Sequence, residues 1–305
     1  MKAVICTNYG PPEVLQMKEM EKPKPKDHEV LIKVFAATAH IGDTRIRRAD
    51  PFLVRLVFGM LKPRKNLILG LEISGVIESV GKNVQSFKEG DKVFGLTGFC
   101  GGYAEYICLP EKVKNGTGEK KGMVAIKPNH LSYEEAAVVP SGGLTALKNL
   151  QKAKIKPGQK ILINGASGSL GTYAIQLAKY YGAEVTAVCS KSNFGLVESI
   201  GADKLIDYTE EDFTASETKY DIVYDAVIKA KPSQCQKILT PNGVFLNNSR
   251  LPKMEVADLL FLKELIEENK LKPIIDRTYA LDEIAEAHRY VDTGRKKGNV
   301  AITVR

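Results

Sequence analysis

Hydrophobic positions follow two different patterns along the chain. From residue 1 to about 125, short apolar runs are separated by turns and glycines, a pattern typical of strands in a small barrel-like β domain. From about 126 to 272, apolar runs near residues 161, 185, 205, 222 and 244 alternate with segments of helical spacing. That alternation predicts a parallel α/β sheet with crossover helices.

The first region and the tail of the chain share strand-like patterns. Residues 273–305 return to strand, helix and strand, and we expect them to rejoin the first domain. The predicted strands of these two parts are Ala3–Cys6, Glu29–Thr38, Ile68–Val80, Lys92–Gly95, Tyr103–Leu109, Ile274–Tyr279 and Asn299–Val304. The polar stretch Glu111–Lys121 is predicted to be a surface loop.

A glycine-rich turn follows the apolar run 161–163. Gly165 would permit a tight exit from a strand, Gly168 would let the backbone approach a phosphate, and Gly171 would let the next helix pack closely. The first N–H groups of that helix and its dipole would then face the anion. A merely structural turn is the alternative. The pattern favours a dinucleotide pyrophosphate site made by Gly165, Ala166, Ser167, Gly168, Ser169, Leu170 and Gly171.

The end of the next predicted strand indicates which cofactor binds. An Asp or Glu about 20 residues past the glycines would bind the ribose 2′-hydroxyl of NAD. Here the strand 184–188 runs instead into Ser190 and Lys191. A hydroxyl and an ammonium suit a 2′-phosphate, because charge-assisted hydrogen bonds to phosphate are strong. NADPH is therefore favoured, although Lys191 is also one of 44 Lys and Arg residues and could simply be solvated.

Composition narrows the class of protein. The 305 residues are 44% hydrophobic and 26% charged, which is ordinary for a globular protein large enough for two domains. No run reaches the roughly 18 apolar residues of a membrane span. The apolar stretch within the first ten residues is too short for a signal peptide. The five cysteines are scattered without a C-x-x-C pair, which favours a reduced, cytoplasmic compartment. The net charge of +8 permits acidic partners without indicating one.

Together these segments resemble the medium-chain dehydrogenases/reductases, in the zinc-independent quinone oxidoreductase branch that includes zeta-crystallin. The resemblance covers most of the chain and rests on MKAVICTNYGPPEVL, EVLIKVFA, LGLEISGVIESVGKNVQSFKEGDKVFG, GGYAEY, VVPSGGLTAL, the glycine turn, GADKLIDY and DEIAEAHRYVDTGRKKGNVAITV. It implies a GroES-like β-barrel domain at residues 1–125 and 273–305, and a Rossmann doubly wound domain at 126–272. It also implies NADPH bound in the cleft between them.

The same resemblance implies an enzyme that reduces quinones or α,β-unsaturated carbonyl compounds by hydride transfer from NADPH. A homodimer fits the family, and no nucleic acid or stable membrane insertion is expected. An RNA-binding or NADPH-sensing role with little catalysis is the alternative, since zeta-crystallin relatives give a precedent. The chain shows no basic stripe interleaved with aromatic residues to support that alternative.

Zinc-dependent relatives in the superfamily carry a Cys three residues before an Asp and a His in G-H-E. Here His40 stands three residues before Asp43, and Leu71 replaces the second ligand between Gly70 and Glu72. One nitrogen ligand and a nearby carboxylate cannot complete a three-ligand catalytic site, so we expect no metal. His40 is then either a hydrogen-bond or proton donor in the pocket or a structural histidine.

Three further residues are assigned by the resemblance. Thr145 would lie beside the nicotinamide as a catalytic and cofactor-binding residue, and Tyr208 would join Ser190 and Lys191 at the 2′-phosphate. Simple alternatives are a hydrogen-bonding role at a helix N-terminus for Thr145 and half-buried packing for Tyr208. Asn299 follows Gly298 where relatives commonly have lysine, so a cationic contact with the cofactor would be missing.

Two stretches depart from the expected pattern. After Asn247 the chain passes quickly to the helix near Leu259, where relatives carry roughly 30 further residues with the last Rossmann strand. The missing edge strand would weaken any dimer built on it. The segment 45–65 places Phe52, Leu53, Leu56, Val57 and Met60 beside Arg47, Arg48, Arg55, Lys62, Arg64 and Lys65. A cleft wall is the favoured interpretation, with a membrane-surface helix or plain core packing as alternatives.

Overall fold

Apolar, β-branched runs form strands along most of the chain. A computed structural model describes residues 1–98, 100–112, 122–249 and 252–304. Its strands, numbered in chain order from β1 to β14, are Lys2–Cys6, Leu15–Glu19, Glu29–Thr38, Glu72–Val80, Lys92–Leu96, Tyr106–Pro110, Met123–Ile126, Lys160–Asn164, Glu184–Cys189, Lys204–Asp207, Tyr220–Asp225, Leu239–Asn247, Ile275–Ala280 and Asn299–Thr303.

Helices connect these strands, mainly in the second half of the chain. The α-helices, numbered α1 to α9, are Ile41–Arg48, Val54–Phe58, Tyr133–Ala137, Pro140–Ala153, Ser169–Tyr180, Phe194–Ser199, Pro232–Cys235, Val256–Glu267 and Ile284–Asp292. Helix α5 ends at Tyr180, and Gly182 follows its last turn with a positive φ of 78°, the conformation in which glycine commonly ends a helix. None of the helices in the described ranges is long and apolar enough to cross a bilayer.

The described chain divides into two units, which are treated separately here. Unit 1 comprises residues 1–141, 253–263 and 275–305, and unit 2 comprises residues 142–252 and 264–274. The domain limits expected from the sequence, 125/126 and 272/273, stay predictions. Of the predicted loop 111–121, all but the first two residues lie outside the described residues.

Unit 1 is organised around β3. This ten-residue strand is buried at most positions and pairs antiparallel with β4, β6 and β14. The larger sheet runs in the order β13-β14-β3-β4-β5-β7, and β1 pairs with β2. Side chains from these strands and from α9 form one apolar core that includes Val34, Ile73, Ile107 and Ile284.

Unit 2 holds a five-stranded parallel sheet in the order β10-β9-β8-β11-β12. Strand β8, KILIN, is buried at four of its five positions, as expected for a strand with helices on both faces. From β8 the chain first adds strands on one side of the sheet, β9 and then β10. It next adds β11 and then β12 on the other side of β8. Within the described residues β12 is therefore an edge strand.

The change of direction at β8 locates a binding edge. In open α/β sheets, ligands bind outside the carboxyl ends of the strands where the strand order reverses. Asn164 at the end of β8 is paired with Val188 on one side and Asp225 on the other. The turn after β8 and the loops after β9, β10 and β11 therefore lie along one edge, which we call the carboxyl edge of unit 2.

Candidate functional site

The glycine turn lies at the carboxyl edge of unit 2, between β8 and α5. Gly165 has a φ of +78°, and a Cβ there would lie 2.4 Å from Cγ1 of Val227. A Cβ on Gly171 would lie 2.3 Å from the carbonyl oxygen of Gly165, so only glycine allows the helix to start so close to the strand. Gly168 is the N-cap of α5 and supplies no side-chain cap. The turn therefore leaves a main-chain cradle at the helix N-terminus, which fits a pyrophosphate.

The remaining residues of the turn have distinct surroundings. Ala166 and Ser169 are buried, and the main-chain N–H groups of Gly165 and Ala166 both donate to the carbonyl of Val188 at 3.1 Å. Ser167 and Leu170 are partly exposed. Two main-chain hydrogen bonds thus anchor the start of the turn to the end of β9.

Ser190 and Lys191 follow the end of β9, as the sequence predicts, and side chains not singled out by the sequence hold them there. The Lys191 N–H donates to Oδ2 of Asp207 at 3.1 Å, while Oδ1 of Asp207 accepts from the main chain and hydroxyl of Thr209. These Thr209 hydrogen bonds lower the pKa of Asp207. Its carboxylate is thus buried and already bonded, and the Lys191 side chain is exposed.

Asn193 connects this loop to the glycine turn. Its Nδ2 donates to Oγ of Ser167 at 3.0 Å and to Oγ of Ser190 at 3.2 Å. Its Oδ1 is buried without a hydrogen-bond partner among the described residues. The sequence did not single out Asn193, because an asparagine four residues after a strand carries no motif.

The loop after β11 completes the carboxyl edge of unit 2. Asp225 is fully buried and accepts hydrogen bonds from Asn164 Nδ2, from the Val227 N–H and from the Ala230 N–H. Ile228 in this loop has a φ of +58°, a strained backbone conformation for a β-branched residue. Asp225 therefore holds an exposed, strained loop beside Gly165. Neither Asp225 nor Ile228 was predicted from the sequence to be functional.

Tyr208 and Thr145 lie in different surroundings within unit 2. Tyr208 follows β10 directly and is 59% exposed, which contradicts half-buried packing. Because β10 and β9 are adjacent and parallel, Tyr208 lies at the same sheet edge as Ser190 and Lys191. Thr145 is buried and is the sixth residue of α4, beyond the first turn, so a role at the helix N-terminus is wrong.

His40, the other predicted catalytic residue, belongs to unit 1 and is the N-cap of α1. Its Nδ1 accepts the Gly42 N–H at 3.0 Å, and its Nε2 lies 3.4 Å from Oγ of Ser141. With the Nδ1 lone pair occupied, the ring proton of the neutral form belongs on Nε2. Burial, with help from the nearby Lys296 and Arg45 charges, lowers the pKa of His40. The imidazole is therefore neutral and presents an N–H.

Glu72 and Lys296 form a buried polar cluster with His40 and Ser141, here called the polar cluster of unit 1. Glu72 is 1% exposed and accepts hydrogen bonds at 2.7 Å from the Ser141 N–H and the Thr38 hydroxyl. Burial raises the pKa of Glu72 to about 7 and lowers that of Lys296 to about 8, while their opposite charges stabilise each other. Lys296 Nζ also donates to the Gly298 carbonyl at 2.7 Å.

Asn299 follows Lys296 by three residues and is buried at the start of β14 in unit 1. The sequence predicted that a cationic contact would be missing, because Asn299 stands where relatives commonly have lysine. The structure shows that Lys296 brings a cation into the polar cluster instead.

The donor set beside His40 does not suit a catalytic zinc ion. The Nδ1 lone pair of His40 accepts the Gly42 N–H, and both oxygens of the Asp43 carboxylate accept main-chain N–H groups, from Gly70 and His40. Leu71 offers no ligand atom. In the described residues, no group of three or more His, Cys, Asp and Glu side chains is arranged to share a metal ion.

The exposure of the segment 45–65 decides against one of its three predicted interpretations, plain core packing. Its five predicted apolar residues, Phe52 to Met60, are each at least 51% exposed, so plain core packing is wrong. Arg47, by contrast, is only 1% exposed and is ion-paired with Asp292, so it does not belong to the basic flank.

Comparisons with known proteins agree with this architecture. Residues 26–115 match the alcohol dehydrogenase GroES-like domain, and residues 169–271 and 246–302 match two models described as zinc-binding dehydrogenase. A 2-methylene-furan-3-one reductase of Solanum lycopersicum is 34% identical, covering 99% of this chain and 79% of that protein. An NADPH-dependent alkenal/one oxidoreductase of Arabidopsis thaliana is 30% identical with the same coverage.

A solved structure has the same fold. The quinone oxidoreductase from Coxiella burnetii superimposes with a TM-score of 0.84 at 30% identity, covering 100% of this chain and 99% of that one. The fold therefore defines an oxidoreductase with a GroES-like domain and a parallel α/β domain, and the predicted fold class is confirmed. The chain belongs to the medium-chain dehydrogenase/reductase family, in its quinone and enone reductase branch, and it is an enzyme.

Proposed function

We propose that the protein is an NADPH-dependent reductase of quinones or α,β-unsaturated carbonyl compounds, working by direct hydride transfer without a metal. The observation that carries this proposal is the glycine cradle beside an exposed lysine at the carboxyl edge of unit 2. The names of the three relatives support the substrate class, since a methylene-furanone, an alkenal or alkenone and a quinone are all conjugated carbonyl compounds.

In this proposal each part of the carboxyl edge of unit 2 binds one part of the cofactor. The cradle formed by Gly165–Gly171 would hold the pyrophosphate through its N–H groups at the start of α5, since those of Gly165 and Ala166 already donate to Val188. Ser190, Lys191 and Tyr208 would hold the 2′-phosphate. The carboxylate of Asp207 is buried and already accepts three hydrogen bonds, so it is poorly suited to accept a ribose hydroxyl. Thr145 stays in the proposal as a contact at the nicotinamide end, and Asn299 stays as a cofactor-binding residue. Bound NADPH supplies the hydride.

The polar cluster of unit 1 would act on the substrate oxygen. A neutral His40 with its proton on Nε2 can donate a hydrogen bond to a carbonyl oxygen as negative charge develops there. The low pKa of His40 makes it a poor store of an acidic proton at neutral pH. We therefore assign it hydrogen-bond donation to the oxygen, with the proton itself coming from solvent or from the Ser141 hydroxyl.

The compartment and partners complete the proposal. All five cysteines are free thiols, which suits a reducing cytoplasm. A small-molecule substrate is the proposed partner, without nucleic acid and without stable insertion into a membrane. A homodimer is retained as the oligomeric state. Mixing the protein with single-stranded RNA should leave the anisotropy of a labelled RNA unchanged.

A panel of acceptors tests the activity directly. The purified protein should oxidise NADPH when a small quinone or an α,β-unsaturated ketone is added, and it should prefer NADPH to NADH. Treatment with a strong chelator should not change the rate. If NADPH binds but no acceptor in the panel is reduced, the reductase proposal fails. A rate abolished by the chelator and restored by zinc would contradict the metal-free mechanism.

A further inference from the structure

Residues 51–65 form an unusual surface of unit 1, here called the basic apolar segment. Six of its side chains are more than half exposed, with fractions of 65%, 67%, 61%, 55%, 51% and 88% for Phe52, Leu53, Leu56, Val57, Met60 and Leu61. Among the large hydrophobic residues in the described part of the chain, only Tyr208 otherwise exceeds one half. Contiguous exposed apolar patches of this kind mark interaction surfaces.

The segment is held in a defined shape by its polar and buried contacts. The Arg55 guanidinium lies over the rings of Tyr9 and Phe52, at 4.8 Å and 5.4 Å from their centroids. The Tyr9 hydroxyl donates to the Gly59 carbonyl at 2.7 Å, and the partly buried Phe58 packs against the core of unit 1. The main chain that carries the exposed side chains is therefore already ordered, so the segment loses little conformational entropy when it binds.

The charges of the segment restrict what can cover it. Between Asp50 and Glu72 the sequence has four cations, Arg55, Lys62, Arg64 and Lys65, and no carboxylate. The last three are exposed and form no ion pair with a carboxylate in the described ranges. A second copy of the chain meeting this surface across a twofold axis would bring like charges together, which is unfavourable. An anionic surface offers both apolar contact and complementary charge.

We propose that the basic apolar segment is a peripheral docking surface for anionic lipid bilayers. The six apolar side chains would enter the boundary between headgroups and acyl chains, and Lys62, Arg64 and Lys65 would lie among the anionic headgroups. Apolar burial combined with cationic contact is the usual basis of such reversible attachment. The inference is independent of the proposed reductase activity and involves no helix that spans the membrane.

Vesicle flotation with the full chain tests the proposal. The protein should bind vesicles containing about 30% phosphatidylglycerol in about 0.1 M salt and should bind pure phosphatidylcholine vesicles much less. The double variant Leu53→Ser/Leu61→Ser should bind the anionic vesicles at least about tenfold more weakly, since it removes the apolar contact of the two most exposed leucines of the segment. Changing Lys62, Arg64 and Lys65 to Gln should remove the preference for anionic lipid.

A matched control removes two apolar side chains elsewhere. Met17 and Leu260 are 40% and 42% exposed, so Met17→Ser/Leu260→Ser should bind vesicles like the wild type. Thermal unfolding of each variant checks that the fold is intact. Equal binding by the Leu53/Leu61 variant, or no vesicle binding by the wild type, overturns the proposal. The proposal is also overturned if the Leu53/Leu61 variant loses self-association in the absence of lipid. It is overturned as well if the only change in that variant is in the KM for a soluble acceptor.

Discussion

The carboxyl edge of unit 2 and the polar cluster of unit 1 are assembled in different ways. The edge takes its groups from successive strand ends, and its central part, the glycine turn, works through main-chain atoms. The polar cluster joins His40, Glu72, Ser141 and Lys296, which come from four distant parts of the chain. Its properties depend on side chains and on their burial.

This difference decides how each region responds to change. A main-chain cradle depends on the absence of side chains, so adding one carbon atom can destroy it. A buried group of charges responds instead to pH and to the loss of any one charge, because burial shifts each pKa and neighbouring charges shift it again. The two regions therefore call for different experiments.

Gly171→Val should produce the largest effect. Its Cβ would lie 2.3 Å from the Gly165 carbonyl and 2.5 Å from the Ala166 carbonyl, so the helix must move away from the strand. We expect NADPH binding to fall below detection and the free energy of unfolding to drop by about 3 kcal/mol. Fluorescence titration with NADPH and denaturant unfolding measure the two quantities.

Gly195→Ala is the matched control for that experiment. A Cβ at Gly195, in α6, would meet no atom within 4 Å. Alanine there should leave NADPH binding unchanged and stabilise the helix by about 0.5–1 kcal/mol. If Gly171→Val bound NADPH as tightly as Gly195→Ala, the turn would not be the phosphate cradle.

Lys191→Glu tests whether charge at the strand end selects the cofactor. Replacing an exposed cation by an anion should weaken NADPH binding far more than NADH binding, changing the ratio of the two Kd values about 100-fold. Lys219→Glu makes the same charge change at the amino end of β11, the opposite edge of the sheet, and should leave the ratio unchanged. Equal weakening of NADPH and NADH in Lys191→Glu would show that Lys191 does not contact the 2′-phosphate.

Glu72→Gln tests the polar cluster through pH. Burial raises the pKa of Glu72 from 4.5 to about 7, so the folded protein keeps a proton that the unfolded chain loses. The stability this group contributes is present below pH 4.5 and is lost as the pH rises through about 7. Relative to Glu72→Gln, the wild type should therefore lose about 3 kcal/mol between those limits.

Denaturant unfolding at several pH values in that window measures the difference. Glutamine can still accept the Ser141 N–H, and the Thr38 hydroxyl can rotate to accept from its amide, so the variant should fold. Glu29→Gln removes a more exposed carboxylate in the same unit and provides the control for the loss of a charge. A flat difference for Glu72→Gln would mean that Glu72 is ionised throughout and that Lys296 balances its charge.

Sequence patterns predicted most of the fold because burial follows local periodicity. The strand Glu29–Thr38 is predicted with its observed limits, and all five strands of the parallel sheet occur where apolar runs indicate. Two strands were missed for physical reasons. In β2 only Leu15 is buried, so there is no alternation to detect, and β7 has only four residues.

The candidate site was predictable only where local sequence carries the chemistry. The glycine turn is such a case, since its conformational demands are written in consecutive residues. Asp207 and Asp225 could not be found this way, because each also bonds a group from a neighbouring strand end, the Lys191 N–H for Asp207 and the Asn164 amide for Asp225, that only the folded sheet brings near it. Lys296 was missed because its importance comes from burial beside Glu72, and long-range burial leaves no motif.

Asn193→Ala should give the smallest effect, and it tests whether the carboxyl edge of unit 2 is as local as the glycine turn suggests. Asn193 ties Ser167 to Ser190 through one amide, a contact between two strand ends that no motif contains. Losing two neutral hydrogen bonds should raise the Kd for NADPH about threefold. The Kd for NADH should rise less, because one of the two lost bonds positions Ser190, the proposed contact of the 2′-phosphate that NADH lacks. Ser199→Ala, which removes a hydroxyl bonded only to the Leu196 carbonyl, should change neither Kd. A 100-fold loss in Asn193→Ala would instead show that long-range side-chain contacts govern this edge too, and the contrast with the polar cluster would disappear.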